Sequence, residues 1–267
     1  MSEVITLYGG EKTGKTTFGF SAIRAFPDGI MVHMDMDMGR DRAIYRFKDV
    51  ADRIKSVTFP EVPKWSLGSG EFTRQWARFE HLYEMALNDP LVRVVFIDTT
   101  TQMHHLNADE YLENYVKRNN PKRSQLQQIE YRIPNSRTRG KIMAAKESGK
   151  LLILSHYERP IYVEQLVQRP DGTMVKESVD TGEKTFNGIT DTPYLADYHL
   201  LLFLKDYNLD LVTNKPIGPR PQLKTVGRIL TPHPRDAYLV EIPDITYERL
   251  KMVLDGIMKA SMESQNA

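Results

Sequence analysis

The chain has 267 residues, with 36 Lys and Arg against 35 Asp and Glu, so its formal net charge is +1. Hydrophobic residues make up 40% and charged residues 27%, a composition typical of folded globular proteins that argues against extensive disorder. The absence of cysteine excludes disulfides, thiolate metal sites and cysteine nucleophiles. The apolar runs fall far short of the ~20 residues of a membrane helix, and the amino-terminal residues lack a signal-peptide pattern. We therefore expect a cytoplasmic protein that has no membrane partner.

Apolar runs that end in turn residues or acids indicate buried strands, and stretches with helical spacing separate several of them. Such strands alternating with helices predict an α/β fold with a mainly parallel central sheet and helices on both faces. In chain order, the predicted elements are a strand at 3–8, a helix ending near 26, a strand at 30–34, a helix at 40–54, a strand at 56–59, a helix at 72–87, strands at 92–97, 150–155 and 196–205, and a closing helix at 242–260 capped by Thr246.

Two insertions interrupt this alternation. Residues from about 115 to 146 are rich in Lys and Arg, and residues from about 161 to 188 have the pattern of a β-hairpin whose turn is 169–173. The chain has no internal repeat and no low-complexity linker that would mark a domain boundary. We therefore predict a single domain over 1–260, followed by a frayed tail at 261–267.

Gly9, Gly14, Lys15 and Thr16 have the spacing of a phosphate-binding P-loop. Glycines let the backbone wrap closely around a phosphate, and successive N–H groups point inward at the start of the following helix. Lys15 would bridge the β- and γ-phosphates, and the Thr16 hydroxyl would bind Mg²⁺. A predicted strand precedes the loop and a predicted helix follows it, as this mechanism requires. The predicted nucleotide contacts are Gly9, Gly10, Glu11, Lys12, Thr13, Gly14, Lys15, Thr16 and Thr17.

Acids follow two of the predicted strands. Asp98 closes the strand 92–97, where P-loop proteins hold a water of the Mg²⁺ shell, so Thr16 and Asp98 are the predicted metal residues. The alternative for Asp98 is a cap of the next segment. Hydrolysis further needs a group that orients the attacking water, and Asp35 and Asp37 follow the second strand. Either of these acids is also suited to cap the helix that follows, and both alternatives stay open.

His156 closes the predicted strand 150–155. Ligands bind at the carboxyl ends of strands in open α/β sheets, so a polar side chain there is suited to sense the γ-phosphate. The alternative is a histidine with a structural role. The predicted catalytic residues are Lys15, Asp37, Asp98 and His156.

The basic insertion contrasts with the near-neutral chain as a whole. Single-stranded nucleic acids bind grooves that combine positive charge with aromatic rings, and Tyr115 and Tyr131 flank the first basic cluster. The alternative is an exposed helical hairpin whose charges serve solubility. The predicted nucleic-acid contacts are Lys117, Arg118, Lys122, Arg123, Arg137 and Arg139.

The motifs at 9–16, 34–37, 96–99 and 154–156 occur in the order and approximate spacing of a RecA-like ATPase core. Over roughly residues 3–230, the chain resembles the phage RecA-like single-strand annealing proteins, a group of P-loop NTPases. The resemblance implies a RecA-like α/β fold and an ATP-binding, Mg²⁺-dependent ATPase that binds single-stranded DNA and promotes annealing or recombination. It also implies a ring or filament of identical subunits, a single-strand-binding protein as a further partner, and the host cytoplasm as the location of a phage-encoded protein.

The resemblance also assigns roles to single residues. Asp37 matches a catalytic glutamate, whose side chain is longer by one methylene group, and His156 matches a polar switch residue. The loops after Asp98 and His156, including 157–159, would face the DNA. Lys224 and Arg228 resemble the basic residues that a neighbouring subunit inserts across the ATP site; a plain strand with solvated charges is the alternative.

Two other functions remain open from the sequence. A P-loop kinase for a nucleoside monophosphate or another small molecule would use the same first strand and loop, with the basic clusters as a cationic lid. A nucleotide-dependent phage assembly accessory would change its oligomeric state with ATP and would have no role on DNA.

Overall fold

Strands and helices alternate along most of the computed structural model, which describes residues 2–168, 173–207, 222–231 and 235–265. The strands are β1 (Glu3–Tyr8), β2 (Ile30–Asp35), β3 (Ile54–Thr58), β4 (Val92–Asp98), β5 (Leu151–Gln168), β6 (Met174–Asn187), β7 (Tyr198–Asp206), β8 (Leu223–Ile229) and β9 (Glu241–Pro243). The helices are α1 (Lys15–Ser21), α2 (Arg40–Ile44), α3 (Glu71–Asn88), α4 (Thr100–Tyr111), α5 (Lys117–Asn119), α6 (Arg132–Ser148), α7 (Thr192–Leu195) and α8 (Tyr247–Gln265).

The central sheet has the strand order β3-β2-β4-β5-β1-β7-β8-β9. Every neighbouring pair from β3 to β7 is parallel, whereas β8 and β9 extend the sheet with antiparallel pairing. The predicted mainly parallel sheet is confirmed. The parallel register aligns Asp35 with Asp98 and Leu7 with Ser155, so the polar ends of several strands meet at one edge.

Alternating residues of the buried strands supply two apolar cores, one on each face of the sheet. Val94 and Phe96 of β4 pack into the core that contains Phe18 of α1 and Leu250 of α8. The intervening residues of β4 pack into the other core, which contains Phe79 of α3. The helices therefore cover both faces, as the continuous apolar runs of these strands predict.

Several element bounds differ from those predicted. The helix expected at 40–54 is only the short α2, and turns lead from it into β3. The tail expected to fray at 261–267 is helical as far as Gln265, because α8 runs past the predicted end at 260. Thr246 does cap α8, since its hydroxyl accepts the amide N–H of Arg249 at 3.3 Å. None of the helices in the described ranges is long and apolar enough to cross a membrane.

The predicted hairpin is present and begins earlier than expected. β5 is one continuous strand from the sheet into the hairpin, and β6 pairs with it from Gln168 and Met174 back to Tyr157 and Asn187. The segment 157–159, expected to be a loop that faces DNA, therefore lies within the paired strand β5. The predicted turn at 169–173 lies outside the described residues except for its last position.

Candidate nucleotide-binding site

The loop 9–16 connects the carboxyl end of β1 to the start of α1, as a P-loop requires. Gly14 has φ +91°, a conformation that residues with a Cβ rarely adopt. A Cβ on Gly9 would lie 2.1 Å from the backbone oxygen of Leu202, so β7 leaves space there only for glycine. Backbone conformation and packing therefore both require the motif glycines, independently of any ligand.

Lys15 lies inside this loop with only 8% of its surface exposed. Its ammonium group donates hydrogen bonds to the carbonyl oxygens of Gly9 at 2.9 Å and Gly10 at 2.8 Å. Burial lowers the pKa of Lys15, and the charges of Asp98 and Asp37 oppose that shift. The cation is thus held in the cradle that a phosphate group would occupy.

Asp98 of β4 connects the start of α1 to the neighbouring strand β5. Its carboxylate accepts a hydrogen bond from the Thr16 hydroxyl at 2.6 Å and another from the Ser155 hydroxyl. Burial raises the pKa of Asp98, while these two hydrogen bonds act in the opposite direction. Thr16 of α1 and Asp98 of β4 are therefore in direct contact, although 82 positions separate them in the chain.

The donor set at Thr16 and Asp98 fits Mg²⁺. A hydroxyl and a carboxylate are hard oxygen ligands, and Mg²⁺ is typically held by one or two protein groups together with substrate phosphates and water. The described residues contain no cluster of three or more His, Asp or Glu able to hold a metal alone. Any Mg²⁺ here would therefore depend on the nucleotide for its remaining ligands.

His33 lies directly behind Asp98 in the sheet and is fully buried. Its Nδ1 is 3.0 Å from the Ser56 hydroxyl, and its Nε2 is 3.9 Å from Asp98 Oδ2. Burial lowers the pKa of His33 to about 4, so the ring is neutral at pH 7. The residue thus fills the space behind the Asp98 carboxylate without adding charge there.

Asp35 and Asp37 have different surroundings. The buried Asp35 carboxylate accepts backbone N–H groups of Gly39 at 3.1 Å and Arg40 at 3.4 Å, so it caps the start of α2. Asp37 is exposed, and its charge acts on the pKa values of both Lys15 and Asp98. Of the two acids, Asp37 is therefore the one left available beside the loop.

Tyr157 stands next to Asp37. Burial, and then hydrogen bonding to Asp37, raises the pKa of the Tyr157 hydroxyl to about 12. The backbone N–H of Tyr157 donates to the Thr101 hydroxyl at 3.1 Å, which fixes this part of β5 against α4. Tyr157 therefore contacts the end of β2 through its hydroxyl and the start of α4 through its backbone N–H.

His156 and Ser155 point to opposite sides of β5. Ser155 contacts Asp98, whereas His156 is fully buried against Phe186, with ring centroids 5.5 Å apart and Nδ1 3.4 Å from the Asn187 oxygen. Burial lowers the pKa of His156 to about 3. The side chain at this strand end that contacts Asp98 is therefore that of Ser155, and His156 in this arrangement packs against Phe186 instead of reaching the predicted γ-phosphate position.

The predicted nucleic-acid contacts divide into two groups. Arg123 is 2.5 Å from Glu130, while Arg137 pairs with Glu110 and Arg139 pairs with Asp191. Lys117 donates to the Leu67 carbonyl at 3.2 Å. The remaining members, Arg118 and Lys122, are exposed and form no ion pair within the described part of the chain.

Lys224 and Arg228 lie on β8 and are also paired within the chain. Lys224 is 3.1 Å from Asp244, and Arg228 is 2.6 Å from Glu241. Thr225, between them, packs directly on the loop, since a Cβ on Gly14 would lie 3.0 Å from its hydroxyl. β8 therefore borders the loop of its own subunit.

Sequence reasoning missed three side chains at the site: Thr225 and Glu158, which pack on the loop, and His33, whose Nε2 is 3.9 Å from Asp98. Glu158 was assigned to a loop because the predicted strand ended at 155; in the structure β5 continues and carries Glu158 to Gly10. Its position two residues after His156 was the available signal, since alternate residues of a strand share a face. No comparable pattern indicates His33 or Thr225, whose contacts depend on strand order.

No protein-family model and no curated protein sequence matches the chain. Among solved structures, it is similar to the RadB recombinase, with 12% identity and a TM-score of 0.45 over 86% of this chain and 80% of that one. A KaiC-like protein from the archaeon Pyrococcus horikoshii OT3 has 14% identity and a TM-score of 0.42 over 90% and 84% of the two chains.

A type III secretion system ATPase of pathogenic bacteria has 14% identity and a TM-score of 0.39 over 75% of this chain. The match spans about half of that protein, 52% of its length. Similarities this distant concern the backbone alone and carry no argument about activity. The fold follows from the strand order, in which β5 lies between β1 and β4, and from the loop at the carboxyl end of β1. The chain has the α/β fold, with a mainly parallel sheet and a P-loop at the end of β1, that its motifs predict.

Proposed function

We propose that the protein is an ATP-binding, Mg²⁺-dependent ATPase that binds single-stranded DNA and promotes annealing or recombination. The observation that carries the ATPase proposal is the meeting of Lys15, Thr16 and Asp98 around one loop of required glycines. Lys15 and Thr16 come from α1 and Asp98 from β4, and each has the chemical type that nucleoside triphosphate chemistry needs. DNA binding rests on a separate observation, the exposed cations of the basic insertion.

The chain's own groups would bind and orient the triphosphate. On binding, the Lys15 ammonium exchanges the carbonyls of Gly9 and Gly10 for phosphate oxygens, which carry more negative charge. Thr16 and Asp98 would hold Mg²⁺, which supplies charge neutralisation on the phosphates. Ser155 keeps the Asp98 carboxylate turned towards Thr16, because it donates a hydrogen bond to the other carboxylate oxygen.

Asp37 is the residue proposed to orient the attacking water. It is exposed at the end of β2, and its charge acts to raise the pKa of Lys15. The Tyr157 hydroxyl forms a hydrogen bond with its carboxylate. The Asp35 carboxylate is committed to the start of α2, so it competes poorly for this role. The shorter side chain of Asp37, compared with glutamate, predicts slow hydrolysis in the absence of a partner.

The DNA contacts are proposed to centre on Arg118 and Lys122. Both are exposed, and Tyr115, at 50% exposure, offers an aromatic ring nearby in the chain. The other predicted contacts would have to leave intramolecular partners to reach a phosphate. A role of His156 in γ-phosphate sensing would require the ring to leave its pocket beside Phe186.

Assembly into a ring or filament of identical subunits completes the proposal. Lys224 and Arg228 are the residues proposed to act across the subunit interface, and each would exchange an internal carboxylate, Asp244 or Glu241, for the neighbour's nucleotide. A single-strand-binding protein is a proposed partner on the same DNA. Nucleotide state and assembly would then be coupled.

The test is ATP hydrolysis measured with and without single-stranded DNA, together with a gel shift of a labelled single strand with and without ATP and Mg²⁺. We expect hydrolysis that requires Mg²⁺ and rises when DNA is added. Hydrolysis that DNA does not change, with no shift of the labelled strand, would contradict the DNA part of the proposal and leave the ATPase part standing.

A small-molecule kinase is the second candidate, and the same assay with nucleoside monophosphates distinguishes it by phosphoryl transfer. A cavity beside Met36 and Gln102, at the carboxyl ends of β2 and β4, is the place where an acceptor would lie. Its volume is only about 80 Å³, well below the 300 Å³ or more typical of small-molecule pockets. This size favours water over a nucleotide as acceptor.

ATP-dependent assembly without any DNA shift would instead indicate an assembly accessory.

A further inference from the structure

A carboxylate from the base of the hairpin lies on the nucleotide-binding loop. A Cβ on Gly10 would be 3.4 Å from Glu158 Oε1 and 3.8 Å from Oε2, so the whole carboxylate packs on this glycine. Gly10 is also one of the two carbonyl partners of Lys15. Glu158 therefore lies beside the part of the loop that the Lys15 ammonium group contacts.

The Glu158 carboxylate has a cationic partner on the facing strand. Lys184 of β6 donates to Glu158 Oε1, and the antiparallel register places Lys184 opposite Pro160, two residues further along β5. The Lys184 side chain is 58% exposed and that of Glu158 is 23% exposed. The ammonium group is thus held beside the loop while it stays accessible from solvent.

The charges around the loop favour a further cation, besides the proposed Mg²⁺, when a triphosphate binds. Asp98, Asp37 and Glu158 all surround Lys15, so its single positive charge is already outnumbered. A γ-phosphate beside Gly10 would meet the Glu158 carboxylate at close range, and like charges at this distance repel. Lys184 relieves the repulsion if its ammonium group contacts the phosphate, since it then lies between the two anions.

We propose that Lys184 contacts the γ-phosphate and sets the preference of the site for a triphosphate over a diphosphate, while Glu158 holds the ammonium group beside the loop. This inference rests on the proposed nucleotide binding. It deepens that function by naming the residue that recognises the terminal phosphate, and it gives the base of the hairpin a part in the nucleotide site.

The test compares the dissociation constants of Mg-ATP and Mg-ADP in the parent and in variants, measured by calorimetry. Lys184→Ala should weaken ATP binding about tenfold and leave ADP binding unchanged, because only the triphosphate reaches the lost ammonium group. Lys184→Arg should keep most of the preference. Lys176→Ala is the matched control: Lys176 also pairs with a glutamate of β5, at 3.3 Å, and lies far from the loop in the hairpin register.

Glu158→Gln distinguishes the role proposed for the Glu158 carboxylate from the phosphate contact proposed for Lys184. It removes the repelling charge and keeps the cation, so ATP should bind at least as tightly as to the parent. An unchanged ATP-to-ADP ratio in Lys184→Ala would overturn the inference, as would an equal loss in Lys176→Ala. If Lys184→Ala proves unstable, Lys184→Met retains the aliphatic stem and gives the same readout. A parent that binds neither nucleotide would instead refute the proposed function, so the two failures are distinguishable.

Discussion

The sequence predicts ligand contacts for positively charged residues in both the nucleotide-binding loop and the basic insertion. In the structure, the two sets of charged groups have different surroundings. At the loop, Lys15 is buried among carbonyl oxygens and is directed into the cradle. In the insertion, Arg137 is paired with Glu110 and Arg139 with Asp191. With the pair of Arg123 and Glu130, three of the six predicted nucleic-acid contacts are therefore neutralised within the fold.

The difference shows which sequence patterns are good evidence for a ligand-binding site. The loop motif constrains backbone conformation, so its glycines, the lysine and the following helix fix one another locally. A run of basic residues constrains nothing by itself, because its acidic partners are elsewhere in the chain, as Asp191 is for Arg139. Charge density along a sequence is thus weak evidence for a ligand until the partners are known.

The largest expected effect comes from removing the buried cation of the loop. Lys15→Ala should weaken ATP binding at least a hundredfold, because the phosphates lose a desolvated charge-assisted contact. Equilibrium binding of a fluorescent ATP analogue measures the loss. Lys48→Ala is the control, since Lys48 is exposed and lies outside the loop. Near-normal ATP affinity in Lys15→Ala would remove the basis of the assignment.

The second effect tests the contact between Thr16 and Asp98. Asp98→Asn keeps the shape of the side chain and removes its charge, so Mg²⁺-dependent hydrolysis should fall about a hundredfold. Ser155→Ala should lower kcat by a smaller factor, about threefold to tenfold, because it only loosens the orientation of the Asp98 carboxylate. Hydrolysis rates across a Mg²⁺ titration measure both. A Ser155→Ala rate below that of Asp98→Asn would contradict this order.

The sequence predicts the parts of the site that local pattern determines. The spacing of glycines, lysine and threonine predicts the loop 9–16, and an apolar run that ends in an acid predicts the strand closed by Asp98; both lie where expected. Helices on both faces follow from strands that are apolar throughout. The choice between Asp35 and Asp37 was open, because capping of α2 depends on backbone positions that alternation along a strand does not specify.

The parts that the sequence does not predict depend on strand neighbours and strand length. His33 and Thr225 reach the site only because β2 lies beside β4 and β8 continues the sheet beyond β7. Ser155 and His156 are adjacent in sequence, yet strand alternation sends one to Asp98 and the other into the core. The sequence predicts the sensing role for His156, whereas Ser155 is the one of the two side chains that contacts Asp98.

A third prediction concerns the buried histidine on the far side of β5. Burial lowers the pKa of His156 to about 3, far below the value of 6.5 that is usual for histidine and expected in the unfolded chain. Between these values the unfolded state binds more protons than the folded state. The contribution of His156 to the free energy of unfolding is therefore fully present above pH 6.5. It is lost as the pH falls towards 3, with a slope approaching about 1.4 kcal/mol per pH unit.

Urea unfolding between pH 7.5 and 4.5 measures this dependence. His156→Gln removes the titrating group, so its free energy of unfolding should fall less steeply with acid than that of the parent. His81→Gln is the control, because His81 is exposed on α3. Equal slopes for the parent and His156→Gln would mean that the buried ring is not the source of the acid sensitivity. The variants are compared by the slope of the free energy of unfolding against pH, because the substitution also changes the free energy of unfolding at neutral pH.

The smallest expected effect tests the basic insertion directly. The double variant Arg118→Ala with Lys122→Ala should weaken single-strand binding severalfold and make the slope of log K against log salt shallower by about 1.4, since two phosphate contacts are lost. Arg137→Ala should instead destabilise the fold by about 1–3 kcal/mol, because it leaves the buried Glu110 carboxylate without its partner, and should leave the salt slope unchanged.

Fluorescence anisotropy of a labelled single strand at several salt concentrations measures the slopes, and thermal unfolding measures the stability. Lys48→Ala with Lys55→Ala removes the same charge from exposed positions elsewhere, so it separates a local DNA contact from a general change in net charge. If Arg137→Ala changed the salt slope and the Arg118 and Lys122 double variant did not, the paired arginine would be the DNA ligand. The pairing seen within the fold would then describe only the state without DNA, and charge density along the sequence would have been the better guide.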